Sequence, residues 1–252
     1  MLLITKGRLI KNIIFYPTFD KAEEFIDPPK PSVGHNIPEW IRKTPKYKHG
    51  QENFDVNGGE NNLTVRHCIP LLEGFTSGYV LTTHIDLLVE ITKEGRHSIK
   101  WVEGNIPMYP PVRLRPSYEQ HSENKSFPKM DGYTDIEFNW VPAWSIKTPN
   151  GYSSLFTHPI NRIDLPFYTL GGIVDTDKWG EAGNHPFVFK NGWEGIIPKG
   201  TPYAQIIPFK RDNWESIIKP ELYGDHEKNI RKRDSVLRGW YKKNAWSTKR
   251  YR

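Results

Sequence analysis

The run Gly-Gly-Ile-Val-Asp-Thr-Asp-Lys-Trp-Gly-Glu spans residues 171–181 and carries the clearest turn signal in the chain. Two glycines precede an apolar pair, and the aspartates Asp175 and Asp177 follow it. Glycine adopts the φ values that tight turns need, and Asp side chains hydrogen-bond to backbone N–H groups inside turns. The run therefore predicts a sharp corner between two β-strands.

Short segments rich in Val, Ile, Tyr, Phe and Trp lie on both sides of this corner, and Gly, Pro, Asn or Asp bounds each of them. Such segments are typical of β-strands. The predicted strands cover residues 9–16, 79–81, 85–91, 97–102, 133–140, 151–158, 167–174, 185–189 and 204–209. This pattern predicts an all-β sandwich or barrel.

The chain has 252 residues, and its 21 Pro and 20 Gly argue against a bundle of long helices because both residues break helices. One long helix is predicted, at 225–243, and a long surface loop at 105–130. We expect three parts. They are an N-terminal strand with an irregular extension (1–62), a β-barrel domain (63–215) and a basic, aromatic, helical tail (216–252).

The positive charge is concentrated at the end of the chain. Residues 228–252 contain ten Lys or Arg and one acid, Asp234, whereas residues 1–227 contain 25 basic and 28 acidic residues. Cations interleaved with aromatic residues suit nucleic acid, through phosphate neutralisation and base stacking. They equally suit docking on an acidic neighbouring subunit. The candidate contact residues for either role are Arg231, Lys232, Arg233, Trp240, Lys242, Lys243 and Trp246.

One cysteine, Cys68, excludes an intramolecular disulfide and a zinc site built from several cysteines. No apolar run approaches the roughly 20 residues that span a bilayer. The first residues are too short an apolar run for a signal peptide. We therefore expect a cytosolic protein with no membrane partner.

Four segments resemble, in the right order, the motifs of the dUTPase and dCTP-deaminase family. Residues 171–181 resemble its Gly-Val-Ile-Asp-x-x-Tyr-x-Gly-Glu hairpin, and Lys-Gly-Thr-Pro-Tyr-Ala-Gln-Ile-Ile-Pro at 199–208 resembles a later strand. Gly-Tyr-Ser-Ser-Leu at 151–155 and Ser-Gly-Tyr-Val-Leu at 77–81 resemble two earlier motifs. The resemblance covers about residues 75–210. It implies a β-barrel or jelly-roll, usually a homotrimer.

The resemblance places Asp175 where the family keeps its catalytic base, and Ser153 and Ser154 in its phosphate-binding motif. Several other positions of the family's site are changed. Lys178 replaces the tyrosine that stacks on the nucleobase of the substrate. Tyr152 replaces the phosphate-binding arginine, and Val80 replaces a metal-binding acid. The basic tail also replaces the Gly-rich arm that closes the family's site. These changes predict that the dUTPase reaction is lost.

Two interpretations are open for the residues of these motifs. Asp175 and Asp177 either serve chemistry and ligand binding or cap backbone groups in a β-turn. Ser153 and Ser154 either contact phosphate or form an edge-strand hydroxyl pair. The polar loop 157–164 is a further candidate, because a His/Asn/Arg/Asp cluster between apolar strands can bind an anion. The candidate ligand-binding residues are Ser153, Ser154, His158, Asn161, Arg162, Asp177 and Lys178.

Most of the chain also resembles an uncharacterised family encoded by tailed phages and some bacteria. The resemblance rests on Ile-Pro-Glu-Trp at 37–40, Thr-His-Pro-Ile-Asn-Arg at 157–162 and Gly-Trp-Glu-Gly-Ile-Ile-Pro-Lys-Gly-Thr-Pro at 192–202. It implies a location in the host cytosol or the virion, and brings no known activity.

Together these observations favour a phage-type, non-enzymatic protein that binds a nucleotide-like ligand or an assembly partner. One alternative is a divergent nucleotide hydrolase or deaminase using Asp175. Another is a virion or assembly component whose basic tail, 228–252, contacts nucleic acid or a virion protein. No cofactor or metal site is predicted, and Mg²⁺ is expected only for the hydrolase.

Overall fold

A computed structural model describes residues 4–5, 8–9, 11–48, 63–101, 109–115, 129–235 and 239–252. The chain divides into two compact units. The first comprises residues 1–210 together with Tyr251, and the second comprises residues 211–250 together with Arg252.

The first unit is built from short strands, sixteen of them among its described residues. They are β1 (Ile4–Thr5), β2 (Arg8–Leu9), β3 (Ile14–Pro17), β4 (Lys30–Pro31), β5 (Tyr79–Thr82), β6 (Leu87–Ile91), β7 (His97–Lys100), β8 (Val112–Leu114), β9 (Phe138–Trp140), β10 (Trp144–Lys147), β11 (Tyr152–Thr157), β12 (Phe167–Thr169), β13 (Gly172–Val174), β14 (His185–Phe189), β15 (Gly195–Ile197) and β16 (Pro202–Lys210). Its helices are α1 (Ala22–Phe25), α2 (Ser32–His35), α3 (Glu39–Lys43) and α4 (Ile69–Thr76), with a 3-10 turn at Val65–His67.

The strands form antiparallel sheets. The largest has the order β13-β11-β16-β5-β4, a second has the order β12-β14-β9-β8, and a third has the order β15-β6-β7. Two pairs, β1-β2 and β3-β10, complete the set. The four segments that resemble the dUTPase motifs contribute β13, β11, β16 and β5, so they form four neighbouring strands of one sheet.

Aromatic rings fill the core of the first unit. Trp140 of β9 stacks on Phe187 of β14, with 4.1 Å between ring centroids, and on Tyr203 of β16, with 4.8 Å. The indole N–H of Trp140 donates to Thr169 Oγ1 at 3.1 Å, and that hydroxyl donates to the Tyr203 carbonyl oxygen at 2.6 Å. Because Tyr203 belongs to the largest sheet and Trp140 to the second, the core joins these two sheets. Large buried rings account for the aromatic-rich composition.

The prediction of a strand-rich fold is confirmed. The sheets are antiparallel, and the described strands do not close into the predicted barrel. The single strand predicted at 167–174 is instead two, because the chain leaves β12 at Leu170 and enters a different sheet as β13. Helix α4 and strands β10 and β15 were not predicted, and β8 lies inside the predicted loop 105–130. Residues 105–108 and 116–128 of that loop lie outside the described residues.

The second unit is helical. It contains a 3-10 turn at Pro220–Leu222, helix α5 (Tyr223–Asp234) and helix α6 (Trp240–Asn244). The single helix predicted at 225–243 is therefore two helices. Gly239 precedes α6 with φ +73°, a left-handed conformation that a continuous helix cannot contain.

Candidate functional site

The turn after β13 is closed by Asp175, which was predicted as a catalytic residue. The backbone N–H groups of Lys178 and Trp179 both donate to the Asp175 carbonyl oxygen at 2.8 Å. The hydroxyl of buried Ser153 donates to Asp175 Oδ1 at 2.6 Å. Asp175 and Lys178 are exposed to solvent. Ser153 thus ties the turn to β11, an arrangement that fits the β-turn interpretation.

Asp177 and Thr176 of this turn also bind protein atoms. Asp177 Oδ2 accepts the Gly151 N–H at 2.8 Å. The Thr176 hydroxyl lies 2.9 Å from the hydroxyl of Ser154 and 2.8 Å from that of Thr148. Because the Ser154 side chain is fully buried within this network, its hydroxyl faces protein rather than solvent.

His158 holds the loop 157–164 in place. Its Nδ1 accepts the Thr169 N–H at 3.3 Å, so the imidazole is the Nε2–H tautomer, and Nε2 donates to the Arg162 carbonyl oxygen at 3.1 Å. Burial lowers the pKa of His158, and the hydrogen bond to Arg162 only partly opposes this effect. A neutral imidazole with both nitrogens engaged supports the loop structurally.

Asn161 also faces the protein. It has φ +63°, and its side-chain amide donates to the Leu71 carbonyl oxygen of α4 at 3.4 Å. A Cβ atom at Gly74 would lie 2.9 Å from Asn161 Nδ2, so glycine permits this close approach of the loop to α4.

A fully buried glutamine anchors the same loop. Gln205 Oε1 accepts the Ile160 N–H at 2.8 Å and a donor from Asn36 at 3.3 Å. Its Nε2 donates to the carbonyl oxygens of Gly74 at 3.0 Å and Ser77 at 2.6 Å. One side chain of β16 therefore joins the loop, α4 and the segment after α2.

Arg162, a predicted ligand-binding residue, lies in a cleft. Its guanidinium contacts Asp164 through two nitrogens, with Nε–Oδ1 at 2.9 Å and Nη2–Oδ2 at 2.8 Å, and its side chain is 11% exposed. Burial opposes ionisation of Asp164, but the hydrogen bond and charge of Arg162 outweigh it and lower the pKa of that carboxyl. The pair is thus held ionised and oriented.

The cleft has a volume of about 520 Å³ and is lined by residues from 35–39, 162–166 and 190–202. We call it the cationic cleft. Its lining overlaps the three segments, 37–40, 157–162 and 192–202, on which the resemblance to the phage family rests. Residues more than 150 positions apart in the sequence therefore meet in one place.

Two lysines supply the net positive charge of the cationic cleft. Lys190 Nζ donates to the Ile163 carbonyl oxygen at 2.8 Å, and the backbone N–H of Lys199 donates to Asp86 Oδ1 at 2.6 Å. In the described part of the chain, neither ammonium group has a carboxylate oxygen within 4.0 Å.

Both acids in the lining are already paired. Asp164 binds Arg162, and Glu39 lies 3.4 Å from Lys43. An anion entering the cleft would therefore meet the two ammonium groups without opposition from an unpaired carboxylate.

Lys190, Lys199 and the lining residue Trp193 were not among the predicted site residues. The run 192–202, singled out in the sequence, contains Trp193 and Lys199, whereas no sequence signal pointed toward Lys190. A second cleft of about 780 Å³ contains Glu94, Arg96, Arg113 and Glu137. The charges of its acidic and basic residues cancel, so this cleft has no net positive charge that would favour an anion.

The predicted contact residues of the tail lie in the second unit. Arg231, Lys232, Arg233, Lys242 and Lys243 are exposed, whereas Trp240 and Trp246 are half-buried. The indole N–H of Trp246 is buried and has no hydrogen-bond partner among the described residues.

Comparisons of the chain with protein-family models, with curated proteins and with solved structures find no match. Within the described ranges, no three His, Cys, Asp or Glu side chains cluster in a way that could hold a metal ion. None of the described helices combines the length and apolarity needed to cross a membrane.

Proposed function

We propose that this protein binds a nucleotide-like anion in the cationic cleft and has no catalytic activity toward it. The observation that carries the proposal is the convergence of Arg162, Lys190 and Lys199 on one cleft built from three distant segments. The proposal retains a dUTPase-like, phage-type ancestry, supported by the adjacency of the four motif strands in one sheet.

The size and chemistry of the cleft support this ligand class. Small-molecule sites usually occupy about 300–1,000 Å³ and combine apolar walls with a few polar anchors. The cationic cleft falls within this range, and its walls include Ile37, Leu165 and Trp193 beside the two lysines. A nucleotide presents the same combination, a flat aromatic base with a charged phosphate group.

The contacts of Asp175 support binding without catalysis. A general base must be able to reach a proton of the attacking water. Here one carboxylate oxygen accepts the Ser153 hydroxyl, and the backbone carbonyl oxygen closes the turn. Asp175 also lies outside the lining of the cationic cleft.

The test is calorimetric titration with nucleoside mono-, di- and triphosphates, with and without Mg²⁺. We expect binding that weakens roughly 10- to 150-fold in Lys190→Gln or Lys199→Gln, because a hydrogen bond to a charged group contributes about 1.5–3 kcal/mol. Lys129→Gln, which removes an exposed lysine outside the cleft, should bind as the wild type does. Unchanged affinity in the Lys190→Gln/Lys199→Gln double variant would overturn the proposal.

The alternative hydrolase or deaminase is tested in the same solutions. We expect no product from any nucleotide, and Asp175→Asn should bind as tightly as the wild type. Turnover that disappears in Asp175→Asn would establish the enzyme instead, with Mg²⁺ dependence identifying a hydrolase.

We further propose that the protein associates with itself, as a homotrimer, in the host cytosol or the virion. The edge strand β13 supports self-association, since it exposes 66% of Ile173 and carries no charged residue to protect its free edge. In the second unit, Trp214, Ile217 and Ile218 are also at least 69% exposed. Light scattering coupled to size-exclusion chromatography measures the assembly directly.

A further inference from the structure

The second unit carries cations that its own acids do not neutralise. In α5, Lys228 lies 3.5 Å from Asp225, and Arg233 lies 2.8 Å from Asp234. Among the described residues, Arg231 and Lys232 of α5 and the two lysines of α6 have no carboxylate within 4.0 Å. These four side chains form an exposed group that we call the free cation set.

Helix α5 does not resemble a helix made to pack on a protein. None of its twelve residues is buried, and Ile230 is the one residue that is half-buried rather than exposed. The centre of a protein interface is usually apolar and poor in charged residues. An isolated helix of this length is also only marginally stable in water, so a partner that binds its side chains would stabilise it.

The spacing of the cations suits a row of phosphates. Arg231 and Lys232 of the free cation set follow Lys228 at i+3 and i+4, which places all three cations on one face of α5, with Lys228 also paired to Asp225. The rise of 1.5 Å per residue separates the first from the last by about 6 Å along the helix axis. Arg231, Lys232 and Arg233 also lie in the last turn, where they complement the helix dipole.

Helix α6 adds an aromatic surface next to its lysines. Tyr241 is 43% exposed and is followed directly by Lys242 and Lys243. Exposed aromatic rings beside cations allow unpaired bases to stack while the backbone phosphates are neutralised. A duplex, whose bases are already stacked, would not use this ring.

We infer that the second unit binds single-stranded nucleic acid, with the free cation set contacting phosphates and Tyr241 stacking on a base. This inference is independent of the ligand in the cationic cleft. Binding of this kind depends strongly on salt and weakly on base sequence, because phosphate contacts release counterions.

The test is fluorescence anisotropy with a labelled 20-nucleotide DNA strand, using the full chain at several salt concentrations. Each phosphate contact on a single strand contributes about 0.7 to the slope of log K against log salt concentration. The variant Arg231→Gln/Lys232→Gln/Lys242→Gln/Lys243→Gln should therefore reduce the slope by roughly 3. The matched control, Lys46→Gln/Lys93→Gln/Lys129→Gln/Lys147→Gln, changes the net charge equally on exposed residues of the first unit and should keep the slope.

A second pair of variants tests stacking. Tyr241→Ser should weaken single-strand binding by about fivefold to more than a hundredfold, and Tyr241→Phe should restore it. If Tyr241→Ser binds as the wild type does, or if heparin competes as well as DNA at equal charge, the unit is a general polyanion binder and the inference fails. If DNA does not bind and the quadruple variant loses self-association instead, the tail docks on a second copy and the inference is overturned.

Discussion

The buried histidine His185 makes the stability of the fold depend on pH. It stands at the start of β14, and its ring lies 5.0 Å from the ring of Phe156. It hydrogen-bonds to the backbone of Ala182, while Nε2 is buried with no partner among the described residues. Burial disfavours the imidazolium and lowers the pKa of His185 from 6.5 to about 4, although the bond to Ala182 opposes this shift.

The sign of the effect follows from proton binding. Above pH 6.5 the imidazole is neutral in both the folded and the unfolded chain, so it adds no pH dependence. Between pH 6.5 and about 4, the unfolded chain takes up a proton that the folded chain excludes, and the free energy of unfolding falls. The pKa difference between 6.5 and about 4 corresponds to about 3 kcal/mol in the free energy of unfolding, and nearly all of this stability is lost by pH 4.

The perturbation is His185→Phe, which keeps a ring of similar size beside Phe156 and removes the titrating group. Urea unfolding at pH 7.0 and pH 4.5, at constant ionic strength, gives the free energy of unfolding of each protein. We expect the wild type to lose about 2 kcal/mol more than the variant over this interval. Loss of the hydrogen bond to Ala182 lowers the free energy of unfolding of the variant equally at both pH values. It therefore does not affect the comparison, which uses only the change in that free energy with pH.

A matched control is His226→Phe, since His226 is exposed on α5. Its loss of stability between the two pH values should equal that of the wild type. If His185→Phe and the wild type lose the same stability, His185 is not excluded from protonation in the folded state, and the reasoning is refuted.

Three further variants probe the fold and its assembly. Gln205→Leu should lower the free energy of unfolding by about 3 kcal/mol or more. Several buried polar groups lose their hydrogen-bond partner in this variant, at a cost of about 1–3 kcal/mol each. A loss below about 1 kcal/mol in urea unfolding would contradict this. Gly78→Ala should be still more destabilising, about 4 kcal/mol, because its Cβ would lie 1.9 Å from the Ile206 carbonyl oxygen. Gly151→Ala, also at positive φ but in open space, should lose only about 1 kcal/mol. Ile173→Lys should reduce the assembled mass measured by light scattering, and an unchanged mass would exclude β13 from the interface.

The strand-rich character of the chain was predictable because its signals are local. Val, Ile, Tyr, Phe and Trp favour extended backbone, and Gly, Pro, Asn and Asp favour the turns between strands. The corner at 171–181 contains both signals, and the structure places the strand β13 and a closed turn there. Helix α4 was missed because it has only eight residues and contains both Pro70 and Gly74, which disfavour helix.

The hydrogen-bond partners of the polar residues could not be predicted from the sequence. Ser153 and Ser154 were predicted to contact phosphate or to form an edge-strand hydroxyl pair, whereas their bonds to Asp175 and Thr176 depend on the antiparallel register of β11 and β13. A shift of that register by one residue would turn each side chain to the other face of the sheet. The role of a hydroxyl is therefore set by long-range pairing.

The sequence by itself determined the short strands and turns, the aromatic composition of the core and the concentration of positive charge in residues 228–252. These properties depend on neighbouring residues in the chain or on its residue composition. They can therefore be predicted without knowing which segments contact each other in the fold. Only the tertiary structure decided that Arg162, Lys190 and Lys199 line one cleft, while Asp175 is held by Ser153 in a turn. The physical reason is that electrostatic and hydrogen-bonded contacts act over a few ångströms in space, and packing of the sheets sets those distances irrespective of separation along the chain.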